Sequence, residues 1–226
     1  YNGTGYAGWQ RQKELPSIQQ AIEEAIYAIS GQHARLYVAG RTDAGVHAKG
    51  QVAHVDLKAF SKPMKPSEVA KAINAHLRPQ PIVILNTEIR SEEFHARYHA
   101  QGKLYVYRII NRPTPLALDQ NLAWHIKKEL DLEAMKNAAE HMIGHHDFST
   151  FRAADCQAKS PIKTLEYINI ERCNIGSQRG HEIQFRVKGR SFLHHQVRNM
   201  VGTLSLVGEG KWTPADVKAA LEAKYR

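Results

Sequence analysis

The sequence is short of the features that mark several protein classes. Among 226 residues there are only two cysteines, Cys156 and Cys173. They match neither a disulfide framework nor a zinc pattern and are expected as free thiols in a reducing compartment. No apolar run approaches the roughly 18 to 20 residues that cross a bilayer, and no charged-then-apolar leader opens the chain, so a cytoplasmic protein is expected. Metal motifs are missing as well. Thirteen histidines, with His141 and His145 at helical spacing and pairs at His145–His146 and His194–His195, invite a metal reading. Yet there is no H-E-x-x-H string, no acid where a third ligand would complete a site, and no zinc-like interval between Cys and His. No metal is therefore expected. Acidic residues are in deficit: 22 Asp and Glu against 31 Lys and Arg leave a net charge of +9 with His neutral. That balance favours a polyanionic partner, nucleic acid first.

Three glycines near the start, Gly3, Gly5 and Gly8, spell G-x-G-x-x-G. A dinucleotide site needs a strand before that pattern and a helix opening directly after it. Here a polar stretch, WQRQKELP, follows instead, so a flexible loop that exposes its backbone is expected. The chain opens on Tyr1 without an initiator Met and stops straight after its last helical pattern, so further residues are expected at both ends.

Helical and strand patterns alternate along the rest. Ser17 with Gln20 reads as a capping box, and Ile18, Ala21, Ile22, Ala25, Ile26 and Ile29 keep to one face before Gly31 ends the helix. Strands are expected at about 34 to 40 and 51 to 57, a helix from Ser67, and an apolar run, PIVIL, at 81 to 85. A second sheet begins at Lys103, where Tyr105, Tyr107 and Ile109 alternate with Leu104, Val106 and Arg108. Asp131 to Ile143 reads as a helix ended by Gly144, LEYINIE and HEIQFRVKG as strands, and Leu193, Val197, Met200, Val201 and Leu204 as one face of another helix. Thr213, Pro214 and Asp216 open the last. Two successive sets of strands and helices imply an α+β protein divided into residues 1–99 and 100–226.

Chemistry concentrates in AGRTDAGVHA, Ala39 to Ala48. It places Asp43 on a loop between two strands, with Arg41 as a permanent cation beside it and Gly40 and Gly45 free to take backbone angles closed to other residues. On physics alone, such an Asp also serves as a turn residue that caps backbone N–H groups. The string GRTDAGVHA resembles the signature of the TruA family of tRNA pseudouridine synthases. Four further strings match in family order: YNGTGYAGWQRQ at the start, FHARYHAQGKLYVY from Phe94, HHDFSTFRA from His145, and FLHHQVRNMVG from Phe192.

The resemblance implies two similar plait-like (RRM-like) α/β halves with mostly antiparallel sheets flanking a central catalytic cleft, working as a homodimer on tRNA. It implies isomerisation of uridine to pseudouridine in the anticodon stem-loop, at positions 38 to 40, with Asp43 as the catalytic residue. By the same resemblance Tyr105 contacts the target base, Arg198 pairs with the catalytic carboxylate, and the glycine segment at the start lies near the RNA path. Otherwise Tyr105 reads as a sheet tyrosine, and Arg198, with His195 and Asn199, as the polar face of a helix.

Isomerising uridine means breaking the bond from N1 to C1′, turning the freed uracil and rejoining it through C5. No electrons or phosphate energy enter, so no cofactor is expected. One ionised carboxylate suffices, as nucleophile or as base, and attack at C1′, attack at the base and removal of a ribose proton remain equally open. Tyr105 would floor a dry pocket for the detached base. Arg41 would fill the gap left by an extruded nucleotide or hold the backbone. Two other readings stand beside this one. A non-catalytic RRM-like RNA-binding module would fit the charge, although GKLYVYRII matches the RNP pattern only faintly. A nucleotide-dependent enzyme would rest on the first glycines alone.

Overall fold

A computed structural model describes residues 1–60, 62–173 and 180–225. The chain divides into two compact units, Tyr1–Ala100 and Gln101–Arg226. Together they make a mixed α/β protein with five helices and two sheets among the described residues. The sheets are unequal, with two strands in the first unit and five in the second. No helix among the described residues is long and apolar enough to cross a membrane.

In the first unit, α1 (Ile18–Ser30) buries Ile18, Ala21, Ile22, Ala25 and Ile26, the stripe expected from their spacing. Ser17 caps its start by accepting from Gln20 N, and Gly31, at φ 67°, closes its end with N–H on Tyr27 O. The reciprocal half of the capping box is not formed, because the Gln20 side chain turns along the helix to Glu24 Oε1 at 2.8 Å. The second helix, α2 (Pro66–Leu77), starts one residue before the expected Ser67. Pro66 fits its first turn, and Glu68 accepts from Lys65 N at 2.7 Å. The two helices share a core with Trp9, Leu36 and Ile82.

The strands of this unit are far shorter than expected. β1 (Tyr37–Val38) pairs antiparallel with β2 (Ala53–His54) over two residues each, in the register Tyr37 to His54. Side-chain amides take over where the ladder stops. Gln32 brackets Lys58, donating to its carbonyl at 3.2 Å and accepting from its N–H at 2.8 Å. Gln51 Nε2 donates to Gly40 O at 2.7 Å. The run at 81 to 85 is held in the same way: Asn74 accepts from Ile84 N at 2.7 Å and donates to Ile84 O at 2.9 Å. It alternates like a strand, with Ile82 buried and Val83 and Leu85 exposed, but a helix side chain is its partner. His54 in β2 uses Nδ1 to accept from Ala96 N at 3.2 Å, tying the FHAR segment to the sheet.

The second unit is built on a five-stranded sheet in the order β4-β3-β7-β6-β5. Its strands are β3 (Lys103–Asn111), β4 (Trp124–Ile126), β5 (Gly144–Asp147), β6 (Ile162–Cys173) and β7 (His181–Gly189). All pairs are antiparallel except β3 with β4. The expected alternation in β3 holds in the burial: Tyr105, Tyr107 and Ile109 face the core, while Leu104 and Val106 are exposed. Arg108, on the outer face, makes a two-pronged pair with Glu182 at 2.8 and 2.6 Å and a third bond to Asp119 at 3.0 Å. These bonds hold its guanidinium firmly protonated. Three helices complete the unit: α3 (Leu132–Glu140), α4 (Gln196–Gly208) and α5 (Pro214–Ala223), the last opened by a Thr213–Asp216 capping box. The first of these ends before the expected Ile143, and Gly144, at φ 106°, opens β5 instead of merely closing the helix. β4 and β5 were not apparent from pattern, being three and four residues long.

The short parallel strand β4 depends on one buried amide. Asn111, 3% exposed, donates to Ile126 O at 2.9 Å and Lys128 O at 2.7 Å and accepts from Leu130 N at 3.1 Å. Replacing it by the similarly sized Asn111→Leu strands Lys128 O and Leu130 N, each costing about 1 to 3 kcal/mol when buried and unsatisfied, while Ile126 O keeps Arg112 N at 3.1 Å. A loss of roughly 3 kcal/mol is expected in urea unfolding, and a loss below about 1 kcal/mol would show that water replaces the amide.

His54 yields a pH prediction. Burial, then the nearby His95, push its pKa below the ordinary 6.5, outweighing the opposing influence of Asp56 and of a backbone hydrogen bond with Tyr37. The folded state therefore takes up its proton later than the unfolded chain, so stability is unaffected above about 6.5 and falls as pH drops below it. His54→Gln keeps an acceptor for Ala96 N but cannot titrate. Denaturation midpoints measured from pH 8 to 5 are expected to fall less steeply for the variant than for the parent; parallel curves would rule out this contribution.

Candidate active site

The loop bearing Asp43 is not a free hairpin end. The glycine segment at the start of the chain runs along it as a strap and bonds it repeatedly. Tyr1 and Ala48 exchange backbone bonds at 2.8 and 3.1 Å. Gly3 N donates to His47 Nδ1 at 2.9 Å, Gly45 N to Tyr6 O at 3.2 Å, and Trp9 N to Thr42 O at 3.0 Å. Between these anchors Asp43 opens a turn in which Val46 N reaches Asp43 O at 3.1 Å, and Gly45 supplies the positive φ of 75°.

Two strap glycines are there for closeness. A Cβ on Gly3 would lie 2.1 Å from Val46 O, and one on Gly8, already at φ 99°, would lie 2.5 Å from Thr42 O and 2.9 Å from Asp43 C. Backbone meets backbone at both points, so neither position has room for a side chain. This overturns the expectation of a flexible, backbone-exposing loop. Five of the strap's N–H groups are engaged: those of Thr4, Tyr6 and Ala7 reach Asn2 Oδ1, Gly3 O and Pro16 O, in addition to those of Gly3 and Trp9. A dinucleotide phosphate would have to displace them.

The strap is seated in turn on α1. Ile18 N donates to Gly8 O at 3.2 Å and Gln19 N to Trp9 O at 3.0 Å. These are N–H groups of the first turn, which no helix can satisfy internally. Trp9, 2% exposed, anchors the strap in the core.

Three side chains add a second set of ties. The Tyr1 hydroxyl lies 2.8 Å from Thr42 Oγ1, and Gln51 Nε2 lies 3.5 Å from that hydroxyl while donating to Gly40 O. Burial pushes the Tyr1 phenol above its ordinary pKa, against the hydrogen bonds with Thr42 and Gln51, so it stays neutral across the physiological range. Sequence reasoning missed these roles. The only signal was the glycine spacing, and it carries no information on which backbone the glycines must approach.

Of the residues singled out from sequence, Asp43 is half-buried on this loop and Arg41 is exposed two positions before it. The other two lie in the second unit. Tyr105 is half-buried in β3, with its ring edge-to-face with Phe192 at 4.9 Å. Arg198 is exposed on α4, and its charge bears on the Tyr107 phenol, which burial raises and Arg198 lowers. The segment HHDFSTFRA meets the start of α4: Ala153 N donates to His194 O at 2.9 Å, and Asn199 Nδ2 donates to Phe151 O at 2.8 Å. His195 stands at the helix start with φ 58°, and His194 Nδ1 lies 3.1 Å from Asp155 Oδ1. The His145–His146 pair is likewise hydrogen-bonded, to Thr164 Oγ1 and Ile143 O, each at 2.8 Å.

Comparison with known proteins agrees with this arrangement of motifs. The model of the tRNA pseudouridine synthase family matches residues 1–99 and 138–226. The tRNA pseudouridine synthase A of Paramagnetospirillum magneticum is 52% identical over 226 residues, all of this chain and 85% of the relative. Those of Rhodospirillum centenum and Caulobacter vibrioides (strain NA1000 / CB15N) are 50% and 52% identical over the same 226 residues, 89% and 88% of their own lengths. With strap, Asp43 loop and α4 segment all inside the matched residues, the chain belongs to the tRNA pseudouridine synthase family.

Proposed function

We propose that this chain isomerises uridine to pseudouridine in tRNA, in the anticodon stem-loop at positions 38 to 40, and that Asp43 is its catalytic carboxylate. The observation that carries the reading is the hold on Asp43. The residue before it is bonded through its carbonyl to the strap, its own carbonyl closes a turn, and the glycines of the strap admit no slack. A carboxylate that only capped a turn would not need a second chain segment packed against its backbone at sub-van-der-Waals tolerance for any side chain. Positioning of this kind is what covalent or general-base catalysis requires.

The reaction is an isomerisation. The N1–C1′ bond breaks, a C5–C1′ bond forms, the hydrogen on C5 leaves as a proton and N1 ends protonated. Atoms and oxidation state balance without a cofactor. In this reading Tyr105 contacts the target base from its sheet, Arg41 holds the RNA backbone or the space left by the extruded nucleotide, and Arg198 contacts the substrate from α4. The net positive charge supports an RNA partner. The reading extends to plait-like halves at 1–99 and 100–226, to a homodimer and to a cytoplasmic location.

Asp43→Asn separates catalysis from capping, because an amide still accepts in a turn but offers no anionic oxygen. With tRNA tritiated at C5 of uridine, the variant is expected to bind tRNA like the parent and to release tritium at least a thousandfold more slowly, about 4 kcal/mol of transition-state stabilisation. Release above a few per cent of the parent rate would remove Asp43 from the chemistry, and binding without release by the parent itself would make the protein an RNA-binding module.

Tyr105→Phe keeps the ring and removes the hydroxyl. A fall in turnover with unchanged tRNA affinity would assign the oxygen a part in proton transfer or orientation. Arg198→Ala is expected to lower turnover at least tenfold, with Arg198→Lys recovering part of it, since charge returns without the planar fork. Full turnover in Arg198→Ala would return this residue to the solvated face of α4.

A further inference from the structure

The geometry points to Tyr1, acting through Thr42 and together with Gln51, as a positioning residue for Asp43. The inference rests on the reading of Asp43 as the catalytic carboxylate and adds to it a set of residues outside the loop.

A single phenol oxygen joins both sides of Arg41. It lies 2.8 Å from Thr42 Oγ1, and the Gln51 amide 3.5 Å from it holds Gly40 O at 2.7 Å. The two peptide units that set the direction of the chain into Asp43 are thereby connected to one point. That point is itself fixed. Tyr1 packs against the buried Trp9 with ring centroids 6.0 Å apart and planes tilted by 43°, and its backbone is bonded to Ala48. Thr42 is the residue through which this rigidity reaches the carboxylate. Its carbonyl is taken by Trp9 N, and its branched side chain has few rotamers to choose from once Oγ1 is bonded. With carbonyl and hydroxyl both held, the plane of the peptide between Thr42 and Asp43 cannot swing, and neither can the bond from Asp43 Cα to Cβ.

A structural duty alone does not explain the hydroxyl. The path of the strap along the loop is already set by the backbone bonds of Ala48, Gly45 and Thr42 and by the close approach of Gly3 and Gly8. What the phenol adds is orientation at residues 40 and 42, which matters where a reacting oxygen must be held to within roughly 0.5 Å. A misplacement of about 1 Å is enough to cost about a hundredfold in rate.

The experiment uses the full chain with C5-tritiated tRNA and compares single-turnover rate, tRNA affinity and thermal midpoint. Tyr1→Phe is expected to slow turnover about ten- to a hundredfold, while tRNA affinity stays within about twofold and the midpoint within a few degrees. Thr42→Val, which keeps the branched shape and loses the oxygen, is expected to do the same. Thr42→Ser, which keeps the oxygen, is expected to recover most of the rate. The double variant Tyr1→Phe with Thr42→Val is expected to be no slower than Tyr1→Phe alone, because the contact with Thr42 is already lost there. Parent-like turnover in Tyr1→Phe, or an equal loss in Thr42→Ser and Thr42→Val, overturns the inference, as does a loss of rate matched by losses of affinity and stability. Should Tyr1→Phe fail to fold, the Thr42→Val and Thr42→Ser pair decides alone. Asp43→Asn run in parallel keeps the two claims apart: activity there ends the catalytic reading, whereas an inactive Asp43→Asn beside a fully active Tyr1→Phe ends only this one.

Discussion

The hydrogen bond from Trp9 N to Thr42 O is the contact on which the first unit's functional loop depends. It requires two backbones to run closer than any side chain permits, and Gly8 and Gly3 make that possible. From there support runs in a line. The core holds α1; the free N–H groups of α1's first turn hold the carbonyls of Gly8 and Trp9; the strap's own N–H groups then hold the loop. Each step uses a backbone group that the previous element leaves unpaired. Helix α1 therefore has a second task besides filling the core: its open N-terminus orients the strap.

The second unit solves the same problem with side chains. Helix α4 begins at a residue with positive φ, and its first turn is tied to the 3₁₀ turn at Ser149–Phe151 by Asn199 and by the bond from Ala153 N to His194 O. Leu193 N, ahead of the helix, is satisfied by the buried Gln196 Oε1 at 2.8 Å. These ties leave Arg198 on the exposed side of α4, while its neighbours Val197 and Met200 go into the core. The position of an exposed cation is thus set by the burial of residues beside it, a more durable arrangement than a surface ion pair.

Elements with local punctuation were legible from sequence. The stripe of α1, its Ser17 cap and Gly31 stop, the start of β3 at Lys103, the span of β7 and the Thr213–Asp216 box all carry their signal within a few residues. Those that failed depend on distant partners. The strands expected at 34 to 40 and 51 to 57 have the right composition, but regular pairing is confined to Tyr37–Val38 with Ala53–His54; beyond it Ala39 N still reaches Val52 O at 2.9 Å, and Gly40 O is taken by the Gln51 side chain. The run at 81 to 85 has strand periodicity, and its partner is the Asn74 amide on a helix. β4 is too short to show a period and exists because Asn111 holds the segment that follows it. At the site, the turn around Asp43 was readable from Gly45. The strap's role was not, since G-x-G-x-x-G describes an ability to approach something closely and is silent about what is approached.

That dependence on distance has a physical consequence for the site. The strap bonds that orient the loop join residues from 33 positions apart (Trp9 to Thr42) to 47 apart (Tyr1 to Ala48), so the hairpin-like segment 37–54 cannot acquire its geometry by itself. Closing so long a loop costs entropy that is recovered only when Trp9, α1 and α2 pack together. The orientation of Asp43 is therefore part of the cooperative folding of the unit: a chain that has not buried Trp9 has no strap, and a chain without the strap has an aspartate in an ordinary turn. In the reading proposed above, catalysis by a single carboxylate places its demand on where that oxygen points. The rest of the unit Tyr1–Ala100 holds this loop by backbone bonds that set its path, and by the side chains of Tyr1, Thr42 and Gln51 at residues 40 and 42.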